Sequence, residues 1–600
     1  MSNFFKILFG SCLGTLVALA LLFFVGAGLI GSIAARASEN KVSVKANSVL
    51  RLDLGQVPEL TGNLPVDNPL MSGSFSDLDK QVLGVHDIVR LIDDAAGNDN
   101  IKGIYLNKSS IGLGLNKTRL IREALLRFRE AGKFTVAYAP AYEQSAYYLA
   151  SACEEVYLGP LGVVDFRGLG ADIPFLKNML DNIGVKFEIF WAGDYKSATE
   201  PLRRTEISPE NREQTKEFLN DLFAVLLEDV GASRDIAPGT LRGYASDMTG
   251  WRDEEVVAAN LADGILHRSE VSDILHERLG IDRDEKINSI GIDDYFAARL
   301  KTLRGGGDDE VAVLFAEGGI VDGSGDLGGI GDKKYVREVE KLTEDEDVKA
   351  VVLRVNSGGG SASSSENIWY AIEELKAAGK PIVVSMGGAA ASGGYYIAAG
   401  ADRIYAEPTT ITGSIGVFLT FPIARELMNE KVGISFDTVN TARNATAFSP
   451  FRDLGQEERD LLNQRTQAIY STFLQRVADG RNLPIERVRE IAGGRVYSGT
   501  RALELGLVDE LAGLDAAIDH AAGLADLGDA DDYSVGHYPK MKPPLEKLLE
   551  DFVGEDKGDN MTEAVLRRQL GPEAYEYFQL VRDMTRQQGA QARLPIVVRF

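Results

Sequence analysis

The chain has 600 residues, 44% apolar and 26% charged, enough to build several hydrophobic cores. Its net charge of −25 excludes a general nucleic-acid binder, because phosphate recognition needs clustered Lys and Arg. The two cysteines, Cys12 and Cys153, predict no disulfide framework, no Cys/His cluster has zinc spacing and the five histidines are scattered, so neither a metal site nor a cofactor is expected.

Ile7 to Ala35 is an uncharged run of 29 residues, longer than the apolar part of a secretory signal and sufficient to cross a bilayer of about 30 Å. Residues 1–46 are therefore read as an N-terminal membrane anchor. Ala35-Arg-Ala37 is also a passable small-x-small cleavage site, so a removed signal is the alternative. Lys6 lies on one side of the run and Arg36, Lys41 and Lys45 on the other, so charge does not set the orientation. Beyond it, Ser48 to Leu54 alternates as a strand should. Short β-branched runs then alternate with amphipathic helices, first clearly at Arg119 to Ala131, and this pattern calls for a mainly parallel sheet flanked by helices. Glu210 to Val230 carries the spacing of a long helix.

Leu303-Arg-Gly-Gly-Gly-Asp-Asp-Glu310 reads as a linker. After it the pattern begins again: a strand at Val311 to Phe315, a helix at Glu366 to Ala378 and a long helix at Gln456 to Ala478. Ala131-Gly-Lys133 matches Ala378-Gly-Lys380 at an offset of 247, and Tyr147 matches Tyr395 at 248. So steady an offset marks an internal duplication. The expected division is an anchor (1–46), a first repeat (47–302), a second repeat (303–536) and a tail (537–600) with a helical stretch from Thr562 to Gln588.

The two copies differ at the positions that could carry chemistry. Ser357-Gly-Gly-Gly360 and Ser392 of the second are replaced by Ser110-Ile-Gly-Leu113 and Gln144 in the first. Aligning Ile183-Gly-Val-Lys-Phe-Glu188 with Val432-Gly-Ile-Ser-Phe-Asp437 sets Lys196 opposite Ala445, so only the first copy keeps the lysine. These reciprocal losses point to one Ser/Lys site assembled between the repeats. A serine hydroxyl needs a base, and a lysine can serve if desolvation lowers its pKa from about 10.4 towards 7. Phe190, Trp191 and Tyr195 are candidate walls of the required apolar pocket, with Asp194 opposing the shift if it points inward. Ser392 precedes a helix start, so the Gly393 N–H, together with Gly360 or alternatively Gly359, is expected to form an oxyanion hole. No histidine lies near either motif and there is no Gly-x-Ser-x-Gly elbow, which disfavours a Ser-His-Asp site.

Arg354-Val-Asn-Ser-Gly-Gly-Gly-Ser361, Ala390-Ala-Ser-Gly-Gly-Tyr-Tyr396, Thr412-Gly-Ser-Ile-Gly-Val417 and Gly193-Asp-Tyr-Lys-Ser197 together resemble the long, duplicated form of the signal peptide peptidase A (protease IV) family over residues 47 to 535. The family usually has proline where this chain has Gly358. The resemblance implies a Clp/crotonase-like α/β fold in each half, Ser392 as nucleophile, Lys196 as general base and Ser414 orienting the lysine. It further implies a homotetramer in the cytoplasmic membrane, its repeats on the extracytoplasmic (periplasmic) side, that cuts signal peptides left in the lipid membrane. Two rivals remain: a crotonase-type acyl-CoA enzyme, which needs no Ser/Lys pair, and an inactive membrane scaffold, in which Ser392 and Lys196 would lie out of reach of each other.

Overall fold

Val348 to Val355 is a β-branched run buried on nearly every residue, the pattern of a strand covered on both faces. A computed structural model, which describes residues 43–55, 57–63, 81–303, 306–325, 329–530, 532–540 and 590–593, places it at the centre of a parallel sheet. The apolar run of the expected anchor (7–35) and the expected helix at 562–588 lie outside these residues. Among the described residues no helix is long and apolar enough to cross a membrane.

The first repeat builds a sheet in the order β8 (Gly264–Ile265), β6 (Glu155–Leu158), β5 (Phe134–Ala139), β4 (Ile101–Leu106), β1 (Ser48–Arg51), β9 (Asn288–Gly291), parallel throughout. The second repeats that order with β20 (Glu510–Leu511), β16 (Arg403–Ala406), β15 (Ile382–Ala391), β13 (Val348–Ser357), β10 (Glu310–Glu317) and β21 (Ser534–Tyr538), again parallel. The far end of β15 also pairs with β17 (Ile411–Gly413), and β17 pairs antiparallel with β19 (Val496–Ser498). A two-stranded piece, β2 (Gly62–Asn63) with β3 (Gln81–Val82), lies apart.

Helices cover both sheets. Those expected from Arg119 and Glu366 run over Leu115–Glu130 and Ala362–Ala377, and each is preceded by a helix the sequence reading did not pick out, Val85–Gly97 and Asp332–Glu344. The long helices are Pro209–Arg234 and Gln456–Arg481. Strand β21 carries the second sheet to Tyr538, two residues past the limit drawn at 536.

A third sheet joins the repeats. Its order is β12 (Ile330–Gly331), β11 (Ile320–Val321), β14 (Gly359–Ser361), β22 (Ala590–Arg593), β18 (Val417–Ile423), β7 (Lys186–Ala192). Only β7 comes from the first repeat; it runs antiparallel to β18 for seven residues, from Ala192 opposite Val417 to Lys186 opposite Ile423. A buried ion pair adds a second tie: Arg354 Nε donates to Glu59 Oε2 at 2.9 Å, with both side chains 1% exposed. Burial alone would raise the Glu59 pKa, but Arg354 and Lys117 outweigh it and hold the carboxyl ionised.

Candidate active site

Strand β15 ends at Ala391 and the helix Gly393–Ala398 begins two residues later, so Ser392 must turn the chain in one step. It does so at φ 56, ψ −117, a conformation that costs a non-glycine residue about 1–3 kcal/mol. Three hydrogen bonds hold the turn: Ser392 N–H donates to Gly413 O at 2.8 Å, Tyr396 N–H to Ser392 O at 2.8 Å and the Thr412 hydroxyl to Ala390 O at 2.6 Å. The Ser392 amide is thereby used, whereas the Gly393 N–H opens the helix and has no intrahelical acceptor.

The surrounding glycines are demanded by space. A Cβ on Gly393 would lie 2.6 Å from Ser365 Oγ and 3.1 Å from the Gly360 nitrogen, which brings the Gly360 backbone beside the head of the helix. A Cβ on Gly394 would meet Ser357 O at 2.6 Å, and one on Gly360 would meet Ile320 O at 2.0 Å. Gly359, at φ 92, donates its N–H to Ser357 Oγ at 3.1 Å. That amide is engaged, and Gly359 to Ser361 form a short strand rather than a loop.

Lys196 arrives from the first repeat, four residues beyond β7. Its Nζ is 2.7 Å from Ser392 Oγ, 3.0 Å from Ser414 Oγ and 3.0 Å from Ser414 O. A neutral amine can donate to both Ser414 oxygens and accept the Ser392 hydroxyl proton; once protonated, it can donate to all three. Lys196 is 1% exposed, and burial drives its pKa well below the ordinary lysine value, with no carboxylate close enough to restore the charge. Asp194 is exposed and does not oppose this. Ser414, itself buried at φ 50, is fixed by its N–H donating to Arg495 O at 2.7 Å.

The walls of the lysine site are not those expected. Phe190 packs with Leu419, Ile423 and Leu454, Trp191 is 39% exposed beneath the Arg203 guanidinium at 4.2 Å, and Tyr195 lies under Arg495 at 4.6 Å. Successive strand residues face opposite ways, so closeness in sequence did not make Phe190 and Trp191 neighbours of the amine. Gly493 and Gly494 close the site instead. Tyr195 N–H donates to Gly493 O at 2.9 Å, and a Cβ on Gly494, at φ 79, would lie 2.7 Å from the Lys196 backbone. Gln214, fully buried, donates to Tyr195 O and Ser197 Oγ at 3.0 Å each and accepts from Val496 N–H at 3.1 Å. The paired glycines were the available signal for this clamp; Gln214 offered none.

The scaffold reading required Ser392 and Lys196 to be out of reach, and at 2.7 Å they are not. Sequence comparison points the same way. Peptidase family S49 matches residues 127–282 and 374–528, one segment in each repeat. Protease 4 of Haemophilus influenzae is 35% identical over 74% of this chain and 73% of its own length. The chloroplastic serine protease SPPA of Arabidopsis thaliana is 32% identical over 71% of this chain and 63% of its own. A putative signal peptide peptidase SppA of Enterococcus faecium is 32% identical over 44% of this chain and 78% of its own. With both repeats matched and 35% identity to a protease over 74% of this chain and 73% of that one, the protein belongs to peptidase family S49 and is a serine peptidase.

Proposed function

We propose that the protein is a membrane-anchored Ser/Lys endopeptidase that degrades apolar peptides, such as signal peptides left in the membrane after cleavage. The observation that carries the reading is the buried Lys196 amine 2.7 Å from Ser392 Oγ, with no anion beside it. Ser392 Oγ attacks the scissile carbonyl carbon while its proton passes to Lys196 Nζ. The new oxyanion accepts from the Gly393 N–H and from Gly360, with Gly359 the alternative donor once its bond to Ser357 is released. Lys196 then gives the proton to the departing amine as the C–N bond breaks. Water enters, loses a proton to the same amine and attacks the acyl carbon, and Lys196 returns that proton to Ser392 Oγ as the ester C–O bond breaks. Ser414 holds the amine on this path through both of its oxygens.

The same reading gives each repeat a Clp/crotonase-like fold, supported by the two parallel sheets of matching order. It places residues 7–35 in the cytoplasmic membrane as a single span, with the repeats outside the cytoplasm, and it makes the working form a homotetramer. The apolar run supports the anchor, and the name of the Enterococcus relative supports the substrate class. The test is hydrolysis of an apolar peptide ester by protein lacking residues 1–46, beside Ser392→Ala and Lys196→Ala. Loss in both variants, with the fold intact by circular dichroism, is expected; survival of turnover in either one removes that residue from the mechanism.

A further inference from the structure

The third sheet contains a strand that no catalytic role requires. β22 (Ala590–Arg593) lies between β14 and β18 and is antiparallel to both. Gly359 pairs with Arg593, Gly360 with Ala592 and Ser361 with Gln591; on the other edge Phe418 pairs with Gln591 and Leu419 with Ala590. β22 also lies against the helix that Ser392 heads. The outer edges of β14 and β18 are already taken by β11 and β7. The slot beside the catalytic glycines is therefore one strand wide, and the chain's own C-terminal segment fills it.

We propose that residues 590–593 are a built-in competitive inhibitor, occupying the groove into which a substrate peptide adds as a β-strand, so that substrate binds only by displacing them. The proposal rests on the peptidase reading for what the groove is used for, but not for whether the segment binds there. A peptide entering an open edge gains main-chain hydrogen bonds from both flanking strands, and β22 has taken that arrangement. The 49 residues between Lys540 and Ala590 make the competition intramolecular. Tethering raises effective concentration to the order of 1 mM, so a segment whose free peptide binds at about 0.1 mM would keep the groove closed in roughly nine molecules of ten and raise KM about tenfold.

The segment is also poised to leave. Gln591 is 4% exposed, yet its Oε1 finds no hydrogen-bond partner. A buried acceptor left unpaired weakens the inhibitor, and an apolar residue at that position would bind more tightly. The groove thus favours an apolar side chain where the inhibitor places a glutamine, which allows an apolar substrate to win.

The test compares the full chain with Ala592→Pro, which removes a backbone donor from the strand, and with a chain ending at Gly589. KM for an apolar peptide ester is expected to fall about tenfold in both at unchanged kcat; an unchanged KM overturns the proposal. Gln591→Leu should move KM the other way, roughly tenfold upward. Binding of a labelled peptide of residues 588–596, followed by fluorescence anisotropy on Ser392→Ala backgrounds, needs no turnover. It should bind the chain ending at Gly589 and be excluded from the full chain. Equal binding to both, or to neither, overturns the inhibitor whatever hydrolysis shows, whereas absence of hydrolysis with selective peptide binding would sink only the peptidase reading. Loss of the C-terminal segment from the active chain but not from Ser392→Ala, read by mass spectrometry, would make the segment a substrate and overturn its inhibitory role.

Discussion

The two repeats build the same sheet in the same order, and they treat the turn after its third strand in opposite ways. In the second repeat that turn is Ser392, held in a strained left-handed conformation with its hydroxyl facing an amine. In the first it is Gln144, the opening residue of the helix Gln144–Ala150, with no such strain. Gln144 Oε1 accepts from Arg167 N–H at 3.0 Å and Gly168 N–H at 2.8 Å, while its Nε2 donates to Gly168 O at 3.0 Å. At this turn the second repeat keeps a strained backbone at the proposed nucleophile, whereas the first uses the position for hydrogen bonds.

The sharpest way to break this asymmetry is to remove its chemistry. Ser392→Ala and Lys196→Ala are each expected to lower kcat by at least about a thousandfold, with residual rate left to the oxyanion donors. Because the two act as one unit, the double variant should be little worse than either single one; additive losses would refute a shared step.

The next effect is on pH. Burial lowers the Lys196 pKa, so the active neutral amine persists far below the 10.4 or so of a free lysine. The activity profile should rise with pH through that lowered value and be close to its plateau well before pH 10. The same shift costs stability. A lysine whose folded pKa is depressed binds more protons when unfolded, so stability climbs with pH between the folded and the free value and the penalty is largest below both. Lys196→Met should therefore inactivate the protein yet raise its thermal midpoint at pH 7, because the cost of holding the amine neutral is removed. A lower midpoint would mean that the amine is charged and paired.

A third comparison concerns what binds the halves together. Arg354→Ala leaves the buried Glu59 carboxylate with only Lys117, 3.6 Å away, and should cost about 3–5 kcal/mol in denaturant unfolding, while Arg354→Met with Glu59→Met should recover most of that. Since the ion pair holds the Glu59 pKa below its free value, its contribution is full above about pH 4.3 and is lost as pH falls through the folded value.

How far the sequence could be read depended on whether a feature was local. The duplication, both sheets' central strands and the Ser392 turn announce themselves through periodicity and glycine, because strand burial and tight turns leave marks in neighbouring residues. Lys196 was reached through a formal register with Ala445, yet the second repeat has no strand there: residues 433–440 are exposed and irregular, so β7 has no counterpart. The register led to a lysine that lies 2.7 Å from Ser392 Oγ because the offset was sound, not because the two segments share a structure. The residues around the amine could not be read in that way. Gly494 and Gln214 come to Lys196 from elsewhere in the chain, and such contacts are fixed by packing between elements rather than by any local pattern. Strand β22 was equally hidden, since four residues with no β-branched or aromatic side chain are too short a run to mark a strand.

The smallest effect expected here is the most direct test of the asymmetry itself. Gln144→Ser restores the second repeat's residue at the matching turn of the first. If a serine there sufficed, a second site would open. It should not, because the neighbouring segment Ile111 to Leu113 is folded inward, with Ile111 and Leu113 buried and Ile111 O already accepting from Ser145 Oγ at 3.0 Å. The residue aligned with Lys196 in the second repeat is Ala445, which cannot act as a base and lies in an exposed segment. The variant instead loses three hydrogen bonds to residues 167 and 168, at a cost of about 1–3 kcal/mol. Turnover should match the parent within error, and adding Ser392→Ala should abolish it. Residual hydrolysis in that double variant, absent from Ser392→Ala alone, would mean that the first repeat retains more of the chemistry than its hydrogen bonds suggest.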